Sequence, residues 1–390
     1  MNRFLPSDRM TSITMPPISN IMNRIAHLRS EGKKIYSMAQ AVPWYSPPVP
    51  SLEKLADNLC DPSLHRYSPD PGYLSARFAV TEDFRKRRSI DLDPAGELHL
   101  TCGASQAFLS ALLTATSAGD TVAVLEPYYF DHVFAIRFSN LDLCSIPMIE
   151  GTDDWKIPLD ELERILPDVS AFTLVNPGNP TGKVICDSNM KRIVEMTENS
   201  GTFLILDETY ERFVFTGDKW HPWQEERPRH VMTIGSFSKS LGMPGWRIGY
   251  LFGAADLLKQ ALKVQDSVVI CPPSPSQFLL ETALLEVDWI SKMSEGVKHR
   301  LELCRNTLTG NNSLSWRKAG GAFFTLASYE SSMTSQEAAM YILDEYGLGT
   351  IPGSAFGSAG EGHLRISFGC LSDEDLEPAM EILSGVTFPE

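Results

Sequence analysis

Two textures alternate along the chain. From about Glu97 onward, short apolar runs recur, separated by stretches with helical spacing. Leu98 to Thr101, Thr121 to Leu125, Val169 to Val175, Phe203 to Leu206, Val231 to Ile234 and Ile248 to Phe252 read as strands. Ser105 to Thr116 and Asp187 to Thr197 read as helices, the second opening on Asp187 as its N-cap. Strands this apolar leave no polar face for water, which predicts a mostly parallel sheet covered by helices on both sides. Earlier in the chain, Ile21, Ile25 and Leu28 share one helical face, whereas Pro43 to Pro50, with Trp44 and Tyr45 inside it, cannot continue a helix. Beyond Leu280 the texture becomes one long helical pattern to Thr307, then a strand (Gly320 to Ala327), a helix (Ser335 to Tyr346), a strand (His363 to Phe368) and a closing helix. We therefore expect an N-terminal arm with part of a small domain over 1–40, a large α/β domain over 41–285 and a smaller α+β domain over 286–390.

Composition narrows the function without naming it. With 390 residues, 43% hydrophobic and 21% charged, the chain is an ordinary globular one. Its net charge of −15, with no basic run, points away from nucleic acid and from anionic membranes. Seven scattered cysteines without a Cys-x-x-Cys pair suggest neither a disulfide framework nor a zinc site, and dispersed histidines without a His-Glu-x-x-His run give no metal site. Residues 1–22 lack the apolar core of an export signal, and no run approaches the roughly 18 apolar residues of a membrane span. The expectation is a cytoplasmic protein.

In an open parallel sheet the ligand lies outside the carboxyl ends of the strands, so the chemistry is to be sought there. Each candidate strand is followed by polar or aromatic groups: Gly103-Ala104-Ser105, Tyr128-Tyr129, Asn176 to Gly182, Asp207-Glu208-Thr209-Tyr210, and Ser236-Phe237-Ser238-Lys239. Gly103-Ala104-Ser105 opens a helix, so Ser105 either caps it or joins free N–H groups in holding a phosphate. Ser236, Ser238 and Arg247 add hydroxyls and a guanidinium fork suited to that phosphate. Asp207 ends a buried strand, where a carboxylate needs a cationic partner, a structural one or a ligand's. Lys239, recessed among small residues, can lose its proton and act as an amine nucleophile. Phosphate, a cationic ring nitrogen and a Schiff-base lysine are together the requirements of pyridoxal 5'-phosphate.

With these residues in view, the sequence resembles the class I/II aminotransferases, fold-type I pyridoxal-phosphate enzymes. Ser236 to Gly249 is similar to that family's S-x-S-K motif with its downstream G-x-R-x-G, and Asn176 to Gly182 to its N-P-x-N-P-T-G. Asp207 to Tyr210, Gly103 to Gln106, Tyr67 to Gly72, Pro352 to Gly357 and Leu364 to Phe368 also fit, in the family's order. The resemblance implies a large domain with a mostly parallel seven-stranded sheet between helices and a smaller α+β domain. It further implies that Lys239 forms the Schiff base, Asp207 pairs with the pyridine nitrogen, and Asn179 and Tyr210 bond the ring oxygen. Tyr129 would stack on the ring, while Gly103, Ala104, Ser105, Ser236, Ser238 and Arg247 would hold the phosphate. Tyr67 would reach that phosphate from a neighbouring subunit, implying a homodimer with composite sites, and Arg365 would clamp the substrate carboxylate. The activity implied is transfer of an amino group between an L-amino acid and a 2-oxo acid, with a lyase or cyclase on the same scaffold as the alternative.

One loop departs from the family pattern. Ala41 stands where a glycine is usual and Trp44 where an aspartate is common, which would alter the wall of the substrate pocket. No second arginine matched to an acidic substrate side chain is apparent.

Overall fold

The computed structural model describes residues 4–11, 13–15, 17–152, 154–217 and 220–389. The first three residues of the expected arm, with 12 and 16, therefore lie outside the described residues. Seven strands form the large sheet: β1 (Leu98–Thr101), β2 (Thr121–Glu126), β3 (Asp142–Pro147), β4 (Ala171–Val175), β5 (Phe203–Asp207), β6 (Val231–Ser236) and β7 (Gly249–Phe252). Their order is β1-β7-β6-β5-β4-β2-β3, and only β7 runs antiparallel to its neighbours. Strands β1, β6 and β7 are buried along their whole length, as their unbroken apolar runs require. The sequence pattern marked six of the seven. β3 escapes it because it is an edge strand with Asp142 and Pro147 exposed at its ends, so it shows no apolar run.

Helices cover both faces. Among them are α1 (Ile18–Ser30), α2 (Gly103–Ala115), α3 (Phe130–Phe138), α4 (Asp187–Ser200) and α5 (Ala255–Val269). In α4 the N-cap position belongs to Cys186, not to Asp187. The Asp187 carboxylate instead accepts from the backbone N–H of Trp220 at 3.0 Å, tying a distant loop to the first turn. The long helical pattern after Leu280 is two helices, α6 (Ser274–Ala283) and α7 (Val287–Thr309). They are separated at Leu284 to Glu286, where the apolar spacing carries through a turn.

A four-stranded sheet lies beyond: β8 (Leu314–Ser315), β9 (Phe324–Tyr329), β10 (Ile351–Pro352) and β11 (His363–Ser367), in the order β8-β9-β11-β10. β9 starts four residues later than the pattern suggests, because Gly320 and Gly321 pack against Val184 and Phe213 too closely for any side chain. The N-terminal segment joins this part of the molecule: Tyr36 and Ser37 pair in parallel with Leu348 and Gly349. Glu126, at the end of β2, accepts from Ser358 Oγ and Ala359 N–H, both at 2.9 Å, and Tyr128 N–H donates to Phe356 O at 2.9 Å. The two sheets are thereby locked together beside the carboxyl ends of the large one.

Candidate active site

The loops after β1, β2, β4, β5 and β6 converge on one cavity of about 690 Å³, closed on the far side by residues 39–42 and Arg365. At one end, Ser236 finishes β6. Its Oγ accepts from Ser238 N–H at 3.1 Å and donates to the Ser238 hydroxyl at 2.8 Å, which starts the helical turn carrying Lys239. Gly103 opens α2 with φ of 79°, and a Cβ built there would lie 2.7 Å from Arg247 Nη2. Only glycine lets the start of α2 and the Arg247 guanidinium come this close. Ala104, Ser105, Ser236, Ser238 and Arg247 all line this end, so hydroxyls, a helix N-terminus and a guanidinium face one volume.

At the floor lies Asp207, 3% exposed. One carboxylate oxygen is 3.0 Å from His132 Nε2 and the other accepts from Thr209 N–H at 2.9 Å. Carboxylate oxygens accept more than one bond each, which leaves Asp207 able to take a further cationic N–H from the cavity. His132 is held by stacking on Phe108 (centroids 4.0 Å apart) and by an edge contact with Tyr129. His132 was not singled out from the sequence. Its signal was there, since it follows Tyr129 by three residues at the start of α3 and so shares its face. Asp131, likewise unmarked, lines the cavity and accepts a hydrogen bond from the Tyr129 hydroxyl.

Lys239 Nζ donates to the carbonyl of Ala41 at 2.5 Å. Burial, aided by the positive charges of Arg365 and Arg247 and opposed by Asp207 and Asp131, lowers its pKa to about 8. Ala41 thus touches the expected nucleophile through its backbone. Arg365 lies on β11, buried between the rings of Phe356 and Phe324. Its Nη1 donates to Asn179 Oδ1 at 3.1 Å and its Nη2 to Ala39 O at 2.7 Å, while its Nε has no partner. A buried guanidinium with an unmatched donor is set to receive an anion. Tyr210 is buried beneath the same group, and its hydroxyl is pushed well above the usual phenol range, chiefly by desolvation.

Two expected residues are not brought here. Trp44 does not line the cavity: its ring packs on the Arg300 guanidinium, 3.7 Å from centroid to carbon, and edge-on against Tyr45. The aromatic bulk that was to change the pocket wall is spent on bracing the loop against α7. Tyr67 is 78% exposed and turned to the outside of the molecule.

The profile of the family described as aminotransferase class I and II matches residues 43–383. The chain is a class I and II aminotransferase. It is 32% identical over 383 residues to an aromatic aminotransferase of Arabidopsis thaliana, covering 96% of this chain and 94% of that one. To an aspartate aminotransferase of Pyrococcus abyssi it is 27% identical, covering 97% of each. The solved structure of an aromatic aminotransferase from Pyrococcus horikoshii superposes with a TM-score of 0.84 at 27% identity, over 94% of this chain and 97% of that one. The family depends on pyridoxal phosphate, and the residues of this aminotransferase fit that cofactor: a guanidinium and hydroxyl cradle at one end, a buried carboxylate at the floor, and an amine of lowered pKa between them. Amino-group transfer is its reaction, as the family and its relatives show. Among the described residues no helix is long and apolar enough to cross a membrane, and no group of three metal-ligating side chains occurs.

Proposed function

We propose that this aminotransferase acts on L-amino acids with a large apolar or aromatic side chain. The observation that carries the reading is the lining of the cavity. Ile18, Phe108, Phe130, Phe134 and Phe138 all line it, and the lysine and arginine side chains among the described lining residues are Lys239, Arg247 and Arg365 alone. Arg247 belongs with the phosphate and Arg365 with the α-carboxylate, which leaves no lysine or arginine of this chain's lining for a second carboxylate.

The roles follow from contacts. Pyridoxal phosphate, when bound, supplies an aldehyde for the substrate amine and a ring that takes up the electron pair left when the Cα proton departs. Asp207 keeps a proton on the pyridine nitrogen, with His132 and Thr209 fixing the carboxylate. Lys239, poised near neutrality by burial, carries the Cα proton away and returns it. Arg365 orients the substrate by its carboxylate. Because Asn179 Oδ1 is occupied by Arg365, its amide NH₂ is the group left to donate to the ring oxygen, beside Tyr210. Tyr129 packs against the ring face.

We further read the molecule as a homodimer in the cytoplasm, with units at 1–40, 41–285 and 286–390, the first and last together forming the small domain. The dimer is supported by apolar side chains left open to solvent: Tyr67, Leu74, Phe78 and Val268 are each more than half exposed. Tyr67 of one subunit would then complete the phosphate site of the other.

The test is a comparison of amino donors with the purified, cofactor-loaded enzyme, following loss of the cofactor's visible absorbance in single turnovers. Phenylalanine, tyrosine or leucine should exceed aspartate and glutamate in kcat/KM by roughly 100-fold, the scale expected when a buried polar group goes unmatched. A preference for aspartate would refute the reading, and sedimentation as a monomer would refute the dimer.

A further inference from the structure

Asp131 has no part in the chemistry just described, yet it lines the same cavity. It lies in the first turn of α3, next to Phe130 and ahead of Phe134 and Phe138, which recur at helical spacing and also line the cavity. Its carboxylate accepts from the Tyr129 hydroxyl, and its charge is felt at Lys239. It therefore shares the cavity with both the reacting groups and those rings. A substrate held by Arg365 and Lys239 whose side chain runs along α3 toward those rings comes past Asp131.

We propose that Asp131 is a specificity-determining residue that rejects amino acids carrying a second carboxylate. This inference rests on the apolar-substrate reading above and adds a repulsive element to it. Absence of a matching cation removes affinity for a distal carboxylate, whereas a fixed anion in a partly dry site opposes its entry outright. Tyr129 holds the carboxylate in place, since its hydroxyl donates to it.

The experiment measures single-turnover kcat/KM for phenylalanine and for glutamate with the cofactor-loaded parent, with Asp131→Asn and with Tyr129→Phe. Asp131→Asn should raise the glutamate-to-phenylalanine ratio by about tenfold or more, the scale of a like-charge contact in a partly buried site. Tyr129→Phe, which retains the ring but frees the carboxylate, should raise the ratio too, by less than Asp131→Asn does. A folded, cofactor-loaded Asp131→Asn whose ratio stays within twofold of the parent overturns the inference, even with the apolar preference intact. If Asp131→Asn does not fold, Asp131→Ser carries the same expectation. A parent that prefers glutamate would instead sink the apolar-substrate reading, and this inference with it.

Discussion

Asp207 and Glu208 are consecutive buried carboxylates at the end of one strand, and they serve opposite ends. Asp207 opens on the 690 Å³ cavity with a histidine and one backbone N–H as partners. Glu208 faces the other side of the sheet, beside a second cavity of about 420 Å³. There the Arg88 guanidinium lies 2.8 Å from its carboxylate. Around them Arg87 pairs with Glu211 and Asp83, and Arg212 with Asp83, so three arginines meet three acids. The second cavity is charged but self-neutralised. Among the described residues the first holds Lys239, Arg247 and Arg365 against Asp207 and Asp131 with no salt bridge between them, and those unspent cations mark a ligand site where the size of a cavity does not.

The contrast can be broken by neutralising each acid in turn. Asp207→Asn should cost roughly 10³-fold in kcat, the scale of a lost proton-holding group, while the protein stays folded. Glu208→Gln should do the reverse. Stranding the buried Arg88 should lower stability by about 3–5 kcal/mol, read as a fall in Tm, with kcat of the folded enzyme nearly retained. Next in size, Arg365→Lys should reduce kcat/KM roughly 100-fold, mainly through KM, because a point charge cannot reproduce the fork. Smaller again is a pH effect at the cavity. With its pKa near 8, Lys239 of the cofactor-free enzyme should react with pyridoxal phosphate about tenfold faster per pH unit up to about pH 8 and then level off. The sign is set by burial, which favours the neutral amine; an ordinary lysine would keep gaining to about pH 10.5. The smallest effect is expected at Trp44. Trp44→Leu should lower stability by about 1 kcal/mol through loss of the contact with Arg300, leaving the order of substrates unchanged.

The strand-end groups were legible because chemistry-bearing residues followed apolar runs that could only be buried strands. Lys239, Asp207 and Asn179 reach the cavity for that reason, whereas Arg365, inside β11, was legible only through the resemblance. Glu208 was legible only as a neighbour of Asp207, since alternation along a strand separates their faces but does not name the arginines from residues 87–88 that answer it. Trp44 was misread because a residue's place in a loop says where the backbone goes, not which way a large ring turns. Its partner Arg300 is remote in sequence and gave no warning. His132 and Asp131 went unnoticed because a histidine and an aspartate in one helical turn are common, and only the cavity behind them gives them meaning.

The pairing of Tyr36 and Ser37 with Leu348 and Gly349 bears on how the protein is made. The two halves of that ladder leave the ribosome more than three hundred residues apart. At ordinary synthesis rates the early strand waits of the order of half a minute for its mate. The large sheet, by contrast, is complete at Phe252 and lies entirely within the interval. Synthesis thus delivers the sheet that floors the cavity first and Arg365 on β11 only afterwards.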